Sequence, residues 1–157
     1  MIAIPQDAID LVKHFEGLSL NAYRDPAGIP TIGYGHTGHD VAMGQSITPD
    51  DAEALLASDL EAAAHDVAGM LRIPPTSGQL GALTSFAFNL GAGALESSTL
   101  LRMINTGDAA GAANQFGRWT HVTVNGMHIV LPGLVTRRAA EAAMFSGKDW
   151  RSVVSGA

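Results

Sequence analysis

The sequence lacks cysteine and has no hydrophobic run long enough to cross a membrane. Without cysteine, no disulfide can support the fold, so stability must come from packing. Because spanning a bilayer takes about 20 apolar residues, we expect no membrane insertion. The amino-terminal MIAIP is too short for the core of a signal peptide and is interrupted by Pro5. We therefore expect no export segment in the chain as given, with a trimmed segment as the alternative.

Basic residues are also scarce. Nine Lys and Arg stand against 15 Asp and Glu, which gives a net charge of −6. Nucleic acids and anionic membranes attract clustered positive charge, so the composition argues against both as partners. Hydrophobic residues make up 46% of the 157 positions and charged residues only 15%, which indicates a well-filled globular core and one domain.

The polar chemistry is concentrated in residues 14–38, HFEGLSLNAYRDPAGIPTIGYGHTG. This stretch carries two carboxylates and a hydroxyl, on Glu16, Asp25 and Thr31. An extended chain would hold the two carboxylates roughly 30 Å apart, but the glycines and prolines between and after them predict turns that bring them together. We expect Glu16 in the last turn of a helix, with Asp25 and Thr31 on a small hairpin folded back over it.

These residues resemble the E-x8-D-x5-T pattern of the phage-type lysozymes (endolysins) of glycoside hydrolase family 24. Three further segments resemble successive parts of the same family in the same order: TPDDAEALLASDLEAAA at 48–64, SFAFNLGAGALESSTLLRMINTGDAAGAANQFGRW at 85–119 and LPGLVTRRAAEAAMF at 131–145. The resemblance therefore covers nearly the whole chain. It implies an α+β, lysozyme-like fold. A long helix would join a small antiparallel β-sheet lobe to a larger, mainly helical lobe, with the active-site cleft between them.

Helix and turn signals place these lobes along the chain. Gly17 ends a first helix, and Thr48-Pro49, followed by two acids, starts a long one. Asn125-Gly126 between alternating residues predicts a two-stranded ribbon over 120–131. We predict a single lysozyme-like domain over 1–157, with helix 5–16, a β-rich lobe at 17–48, a linking helix at 49–71 and a helical lobe at 70–157. The helical lobe is expected to hold a helix that ends at Leu90 and further helices over 97–105, 108–118 and 133–145.

Hydrolysis of a glycosidic bond needs an acid that protonates the leaving oxygen and a base that activates water. The resemblance implies that Glu16 is the general acid and that Asp25 and Thr31 activate and position the water. A threonine beside the carboxylates fits a held water, which favours inversion of the anomeric centre over retention.

The same resemblance suggests which residues support the acid and contact the sugar. Arg137 is expected to pair with Glu16, while its neighbour Arg138 faces solvent. The candidate substrate-binding residues are Tyr23, Asn89 and Arg137.

The implied function is an endolysin muramidase that hydrolyses the β-1,4 bond between N-acetylmuramic acid and N-acetylglucosamine in bacterial peptidoglycan. We expect no cofactor and no metal. We also expect a monomer that is made in the host cytoplasm and released by a holin to the periplasm and cell wall at lysis. Two alternatives stay open. A lytic transglycosylase would cleave the same bond with one acid and the sugar's own hydroxyl, so that Asp25 and Thr31 would be dispensable. A non-catalytic wall-binding relative would lack the acid at Glu16.

Two other motifs suggest different chemistry. Residues 33–38 satisfy G-x-G-x-x-G, but no helix signal follows to receive a pyrophosphate, so we interpret these glycines as a tight hairpin beneath the cleft. His36, His39 and Asp40 have a spacing that suits a metal ion, yet no helix presents them together. The resemblance implies instead that His36 pairs with Asp59 on the long helix and ties the sheet to it.

Overall fold

The main elements begin and end at the turn and capping residues of the sequence. The computed structural model describes residues 2–155; residue 1 and residues 156–157 of the predicted domain lie outside them. The helices are α1 (Gln6–Glu16), α2 (Pro49–Met70), α3 (Ser77–Leu90), α4 (Ala92–Glu96), α5 (Thr99–Asn105), α6 (Ala109–Gln115), α7 (Pro132–Phe145) and α8 (Arg151–Val154). The strands are β1 (Ser19–Arg24), β2 (Pro30–Gly33), β3 (His36–Thr37), β4 (His121–Val124) and β5 (Met127–Val130).

The small sheet forms directly after α1. Gly17 ends that helix with a φ of 69°, and its amide donates to the carbonyl of Lys13. β1 pairs antiparallel with β2, and β2 pairs antiparallel with β3. The register places Tyr23 opposite Thr31. The end of β1, the turn after it and the start of β2 therefore lie side by side.

Helix α2 connects the sheet to the helical part of the molecule. The Thr48 hydroxyl accepts from the Asp51 amide at 3.1 Å, and the Asp51 carboxylate accepts from the Thr48 amide at 3.0 Å. This reciprocal cap satisfies amide groups that the first turn leaves free. The helix buries residues spaced three or four apart and packs against β2 and α3. The buried positions are Ala52, Leu56, Leu60, Ala64 and Val67.

The main core surrounds α3. Every residue from Gly81 to Ala87 is buried, because α1, α2, α4 and α7 all pack against this helix. The ring of Phe86 meets those of Phe116 and Trp119 edge-on, at centroid distances of 5.9 and 5.3 Å. Helix α7, which carries Arg137, packs directly against α3, and its last residue, Phe145, contacts Phe116 at a centroid distance of 5.5 Å.

Strands β4 and β5 form the ribbon expected at Asn125-Gly126. Both turn residues have positive φ, 51° and 77°, as a type I′ turn requires. One face of the ribbon consists of exposed aliphatic residues in cross-strand pairs, Val122 with Ile129 and Val124 with Met127.

The expected α+β class, with a small sheet and a larger helical part, is confirmed. The sequence does not predict α4 and α8, because segments of five and four residues are too short to show a helical period. Within residues 2–155, no helix combines the length and the apolarity that crossing a membrane requires.

Candidate active site

Glu16 is the last residue of α1, and the chain turns away immediately after it. Its Oε2 accepts a hydrogen bond from Arg137 Nη1 at 2.5 Å. The Glu16 side chain is 20% exposed and that of Arg137 only 4%, so the pair is open to solvent on the glutamate side. The ring of Phe15 lies 5.8 Å from the guanidinium carbon of Arg137. The structure thus brings Glu16 and Arg137 together across most of the chain.

Gly35, in the turn between β2 and β3, makes room for Glu16. Its φ is 75°, a conformation that L side chains rarely adopt. A Cβ atom at this position would collide with Glu16 Oε1 and lie 3.0 Å from the carboxyl carbon. The G-x-G-x-x-G segment therefore helps to set the position of the carboxylate, and it leads into β3 and not into a helix.

Asp25 and Thr31 lie at the two ends of the turn between β1 and β2. Asp25 Oδ1 accepts from the amides of Ala27 and Ile29 at 2.8 and 2.9 Å, which fixes the orientation of the carboxylate. The buried Thr31 hydroxyl donates to the Ile29 carbonyl at 2.9 Å. Since that bond uses the hydroxyl proton, further partners of Thr31 Oγ1 must be donors.

The negative charges of both carboxylates act on the phenol of Tyr23. Burial raises the pKa of its phenol, and the negative charges of Glu16 and Asp25 raise it further. One side chain, 39% exposed, therefore lies within electrostatic reach of both acidic groups. Tyr23 is also the cross-strand partner of the buried Thr31, so Tyr23 links Thr31 to the region of the two carboxylates.

Behind Glu16, α7 buries two adjacent arginines. Arg138 is 0% exposed, so the expectation that it faces solvent is wrong. Its Nη2 donates to Asn89 Oδ1 at 2.5 Å, which leaves the amide group of Asn89 as a donor. Neighbouring positions on a helix differ by about 100°, so both arginines can occupy one buried side if a carboxylate offsets their charge. Glu141, which is fully buried one turn later, supplies that carboxylate.

A hydroxyl group and two guanidinium groups surround Glu141. Ser85 Oγ donates to its Oε2 at 2.6 Å. Arg138 Nε lies 2.9 Å from Oε1, and Arg137 Nε lies 3.5 Å from Oε2. Burial raises the pKa of Glu141, and the two guanidinium groups oppose that change. We assign the ionised form to Glu141, because its Oε2 accepts from both Ser85 Oγ and Arg138 Nη2 and two guanidinium charges face the group.

His36 joins the sheet to α2 as expected. Its Nδ1 lies 2.7 Å from Asp59 Oδ2, and its Nε2 lies 2.9 Å from Asp40 Oδ2. Burial opposes the charge of the ring, but the hydrogen bonds with Asp59 and Asp40 outweigh it, so the pKa of His36 is raised. In the part of the chain that the structure describes, no three His, Asp or Glu side chains converge as a metal site.

Comparisons with known proteins identify the family of the chain. The sequence model described as Phage lysozyme matches residues 13–141. The chain belongs to the phage lysozyme family. Among curated members, it is similar to the endolysin of Acyrthosiphon pisum secondary endosymbiont phage 1, with 42% identity over 90% of this chain and 97% of that one.

Solved structures extend the family relationship to the fold. The endolysin from Escherichia coli O157:H7 phage FAHEc1 has a TM-score of 0.86 and 38% identity, over 92% of this chain and 93% of that one. The muramidase domain of SpmX from Asticaccaulis excentricus has a TM-score of 0.86 and 39% identity, over 92% of this chain and 98% of that one. The expected family and the lysozyme-like fold are confirmed.

Three residues around the carboxylate escape the sequence analysis: Gly35, Ser85 and Glu141. Glu141 does carry a signal, since a glutamate four positions after Arg137 lies on the same helix face. Gly35 belongs to the glycine motif, which predicts a tight hairpin beneath the cleft but not the contact with Glu16. Ser85 carries no signal, because its contacts join segments that are far apart in the chain.

Proposed function

We propose that this member of the phage lysozyme family is a muramidase. Its substrate would be bacterial peptidoglycan, and the bond hydrolysed would be the β-1,4 linkage between N-acetylmuramic acid and N-acetylglucosamine. The observation that supports this most is the placement of Glu16. Its carboxyl group is held by Arg137 and stays partly open to solvent. Tyr23 lies within electrostatic reach of both Glu16 and a second carboxylate, Asp25.

In the proposed reaction, Glu16 gives its proton to the glycosidic oxygen while the bond from that oxygen to C1 of N-acetylmuramic acid breaks. The bond electrons stay with the leaving oxygen, which departs as the 4-hydroxyl of N-acetylglucosamine. A water adds to C1 and gives a proton to Asp25. Exchange with solvent then returns Glu16 to its protonated form and Asp25 to its ionised form.

The hydrogen bonds of the β1–β2 turn favour a water-based attack. Asp25 Oδ1 is held by two backbone amides, so Oδ2 is the oxygen that acts as the base. The Thr31 proton is bonded to a carbonyl, so its oxygen accepts a hydrogen bond from the attacking water. A water held in one place beside the second carboxylate fits inversion of the anomeric centre.

Substrate binding is assigned to Tyr23, Asn89 and Arg137. Tyr23 offers an exposed ring beside both carboxylates for stacking on a sugar face. Asn89 offers its amide group, since its oxygen is taken by Arg138. Arg137 orients the carboxyl of Glu16 and so defines where the glycosidic oxygen must lie.

We extend the proposal to the setting in which the enzyme acts. As in the endolysins to which it is similar, the chain would be released to the cell wall when the host lyses. We propose that it is made in the host cytoplasm, leaves through lesions formed by a holin, and works as a monomer in one continuous domain.

The test is the digestion of purified peptidoglycan, followed by mass analysis of the product ends. The parent should release fragments with reducing ends, and Glu16→Gln should release none. Asp25→Asn should also lose activity, because the amide keeps the turn acceptor but cannot take a proton. Glu61→Gln, an exposed change on α2, serves as the control. Anhydro ends, with Asp25→Asn still active, would replace hydrolysis by transglycosylation. Released amino acids would overturn both hydrolysis and transglycosylation. A first product with the α configuration at its anomeric carbon would establish inversion.

A further inference from the structure

A buried network behind Arg137 has no part in the proposed reaction. Arg137 Nη2 donates to Ser85 Oγ at 3.3 Å, and the same hydroxyl donates to Glu141 Oε2 at 2.6 Å. Arg137 Nε also lies 3.5 Å from Glu141 Oε2. The guanidinium is therefore held on one edge by α3 and its own helix, while Nη1 on the other edge meets Glu16.

The charges of this network nearly balance. Two guanidinium groups, on Arg137 and Arg138, are 3% and 0% exposed. Glu141 faces both of them at 0% exposure, and Glu16 faces Arg137 from the solvent side. Without the charge of Glu141, Glu16 would be the remaining carboxylate near the two buried cations, in contact with Arg137 and within electrostatic reach of Arg138. A carboxyl group in that position holds its charged form more strongly.

A general acid needs the opposite property, since it must carry a proton when substrate binds. Arg137 orients Glu16, but its charge also favours loss of the proton. The negative charge of Glu141 removes part of that effect, because it offsets the positive charge of the same guanidinium from the buried side. Because Glu141 offsets the charge of Arg137, the arginine can orient Glu16 while favouring the loss of its proton less strongly.

We propose that Glu141 is a positioning residue for the acid. Acting through Arg137, it holds the guanidinium in line with Glu16 and offsets its charge, and so sets the pH range in which Glu16 keeps its proton. This rests on the proposed role of Glu16 as the acid. The charged and titratable groups that face Glu16 are Arg137 and Arg138 on α7 and Tyr23 on β1; those that face Glu141 are the two arginines.

The test is the pH profile of kcat/KM on peptidoglycan, since its alkaline limb reports loss of the acid's proton in the free enzyme. Glu141→Gln keeps an acceptor for Ser85 and removes the charge. Its alkaline limb should move to lower pH by about half to one unit, so that activity at pH 7 falls about 3- to 10-fold relative to pH 5. Arg138→Met removes one cation and should move the limb in the other direction.

The double variant Glu141→Gln, Arg138→Met restores the charge balance, so its limb should return to within about 0.3 units of the parent's. A role limited to packing would lower the rate at every pH and would leave the limb unmoved in all three variants, which overturns the proposal. If Glu141→Gln does not fold, the direction of the Arg138→Met change decides. Full activity of Glu16→Gln would instead refute the proposed function, and an inactive Glu16→Gln with unmoved limbs would refute this inference alone.

Discussion

The pair between His36 and Asp59 makes a quantitative prediction about stability. The two side chains are 12% and 26% exposed and are joined by a contact of 2.7 Å. Replacing Asp59 with Asn keeps the size and one acceptor but removes the charge that stabilises the protonated ring. The exposed Asp40, which contacts Nε2, stays in place as a weaker partner.

The magnitude follows from the burial of the pair. A hydrogen bond to a charged group contributes about 1.5–3 kcal/mol, and partial exposure keeps this pair below the roughly 3–5 kcal/mol of a fully buried one. We expect Asp59→Asn to lower the free energy of unfolding by about 2 kcal/mol at pH 5.5. For a chain of this length, that corresponds to a fall of about 4–8 °C in Tm.

The pH dependence has a definite sign. The raised pKa of His36 means that the folded state holds the ring proton to higher pH than the unfolded state does. The contribution of the charged pair is therefore complete below the ordinary histidine pKa of about 6.5 and is lost as pH rises through the raised value. At pH 8.5 the deficit of the variant should shrink to that of a neutral hydrogen bond, about 1 kcal/mol or less.

Thermal unfolding followed by circular dichroism from pH 5 to 8.5 measures this deficit. Asp66→Asn, an exposed change further along α2, controls for the loss of one negative charge and should leave Tm within about 2 °C at every pH. Equal melting temperatures for the parent and Asp59→Asn at pH 5.5 would refute the reasoning. A deficit that grows toward pH 8.5 would refute it as well.

Two further predictions concern the glycine beside Glu16 and the exposed ribbon. Gly35→Ala should lower lytic activity at least about tenfold through displacement of Glu16. Gly44→Ala is the control and should leave activity unchanged. The φ of Gly44 is 91°, so the substitution adds similar backbone strain, but no atom lies within 4 Å of the added Cβ. Equal activity of the two variants would contradict the proposed role of the contact between Gly35 and Glu16. Val124→Thr with Met127→Thr should leave Tm within about 2 °C, because both side chains are exposed; a larger fall in a melting experiment would show that the ribbon packs in solution.

Local chemistry explains which parts of the fold the sequence predicts well. The end of α1 at Gly17, the cap of α2 at Thr48 and the ribbon turn at Asn125-Gly126 each depend on neighbouring residues, so a short window contains the whole signal. The contact of His36 with Asp59 is also predicted, but through the family resemblance. The residues themselves leave a metal site open as an alternative.

Tertiary contacts explain what the sequence misses. The burial of Arg138 depends on Glu141 and Asn89, one of which lies 49 positions away on another helix. Considered alone, two adjacent arginines on a helix predict at least one side chain in solvent, because burying an uncompensated charge is costly. Only the packing of α7 on α3 shows that compensation exists.

Asp25 shows why the structural and catalytic interpretations of a residue need not compete. Its Oδ1 closes the turn by accepting two amides, which is what an aspartate before proline does in many turns. The same bonds fix the plane of the carboxylate, so the direction of Oδ2 is set by the backbone before any substrate arrives. Thr31 is held in the same way, by a bond to the carbonyl of Ile29 within that turn. In the roles proposed for Asp25 and Thr31, a base and a water acceptor that owe their orientation to one turn would need no reorganisation when the sugar binds, and this kind of preorganisation is what an acid–base site requires.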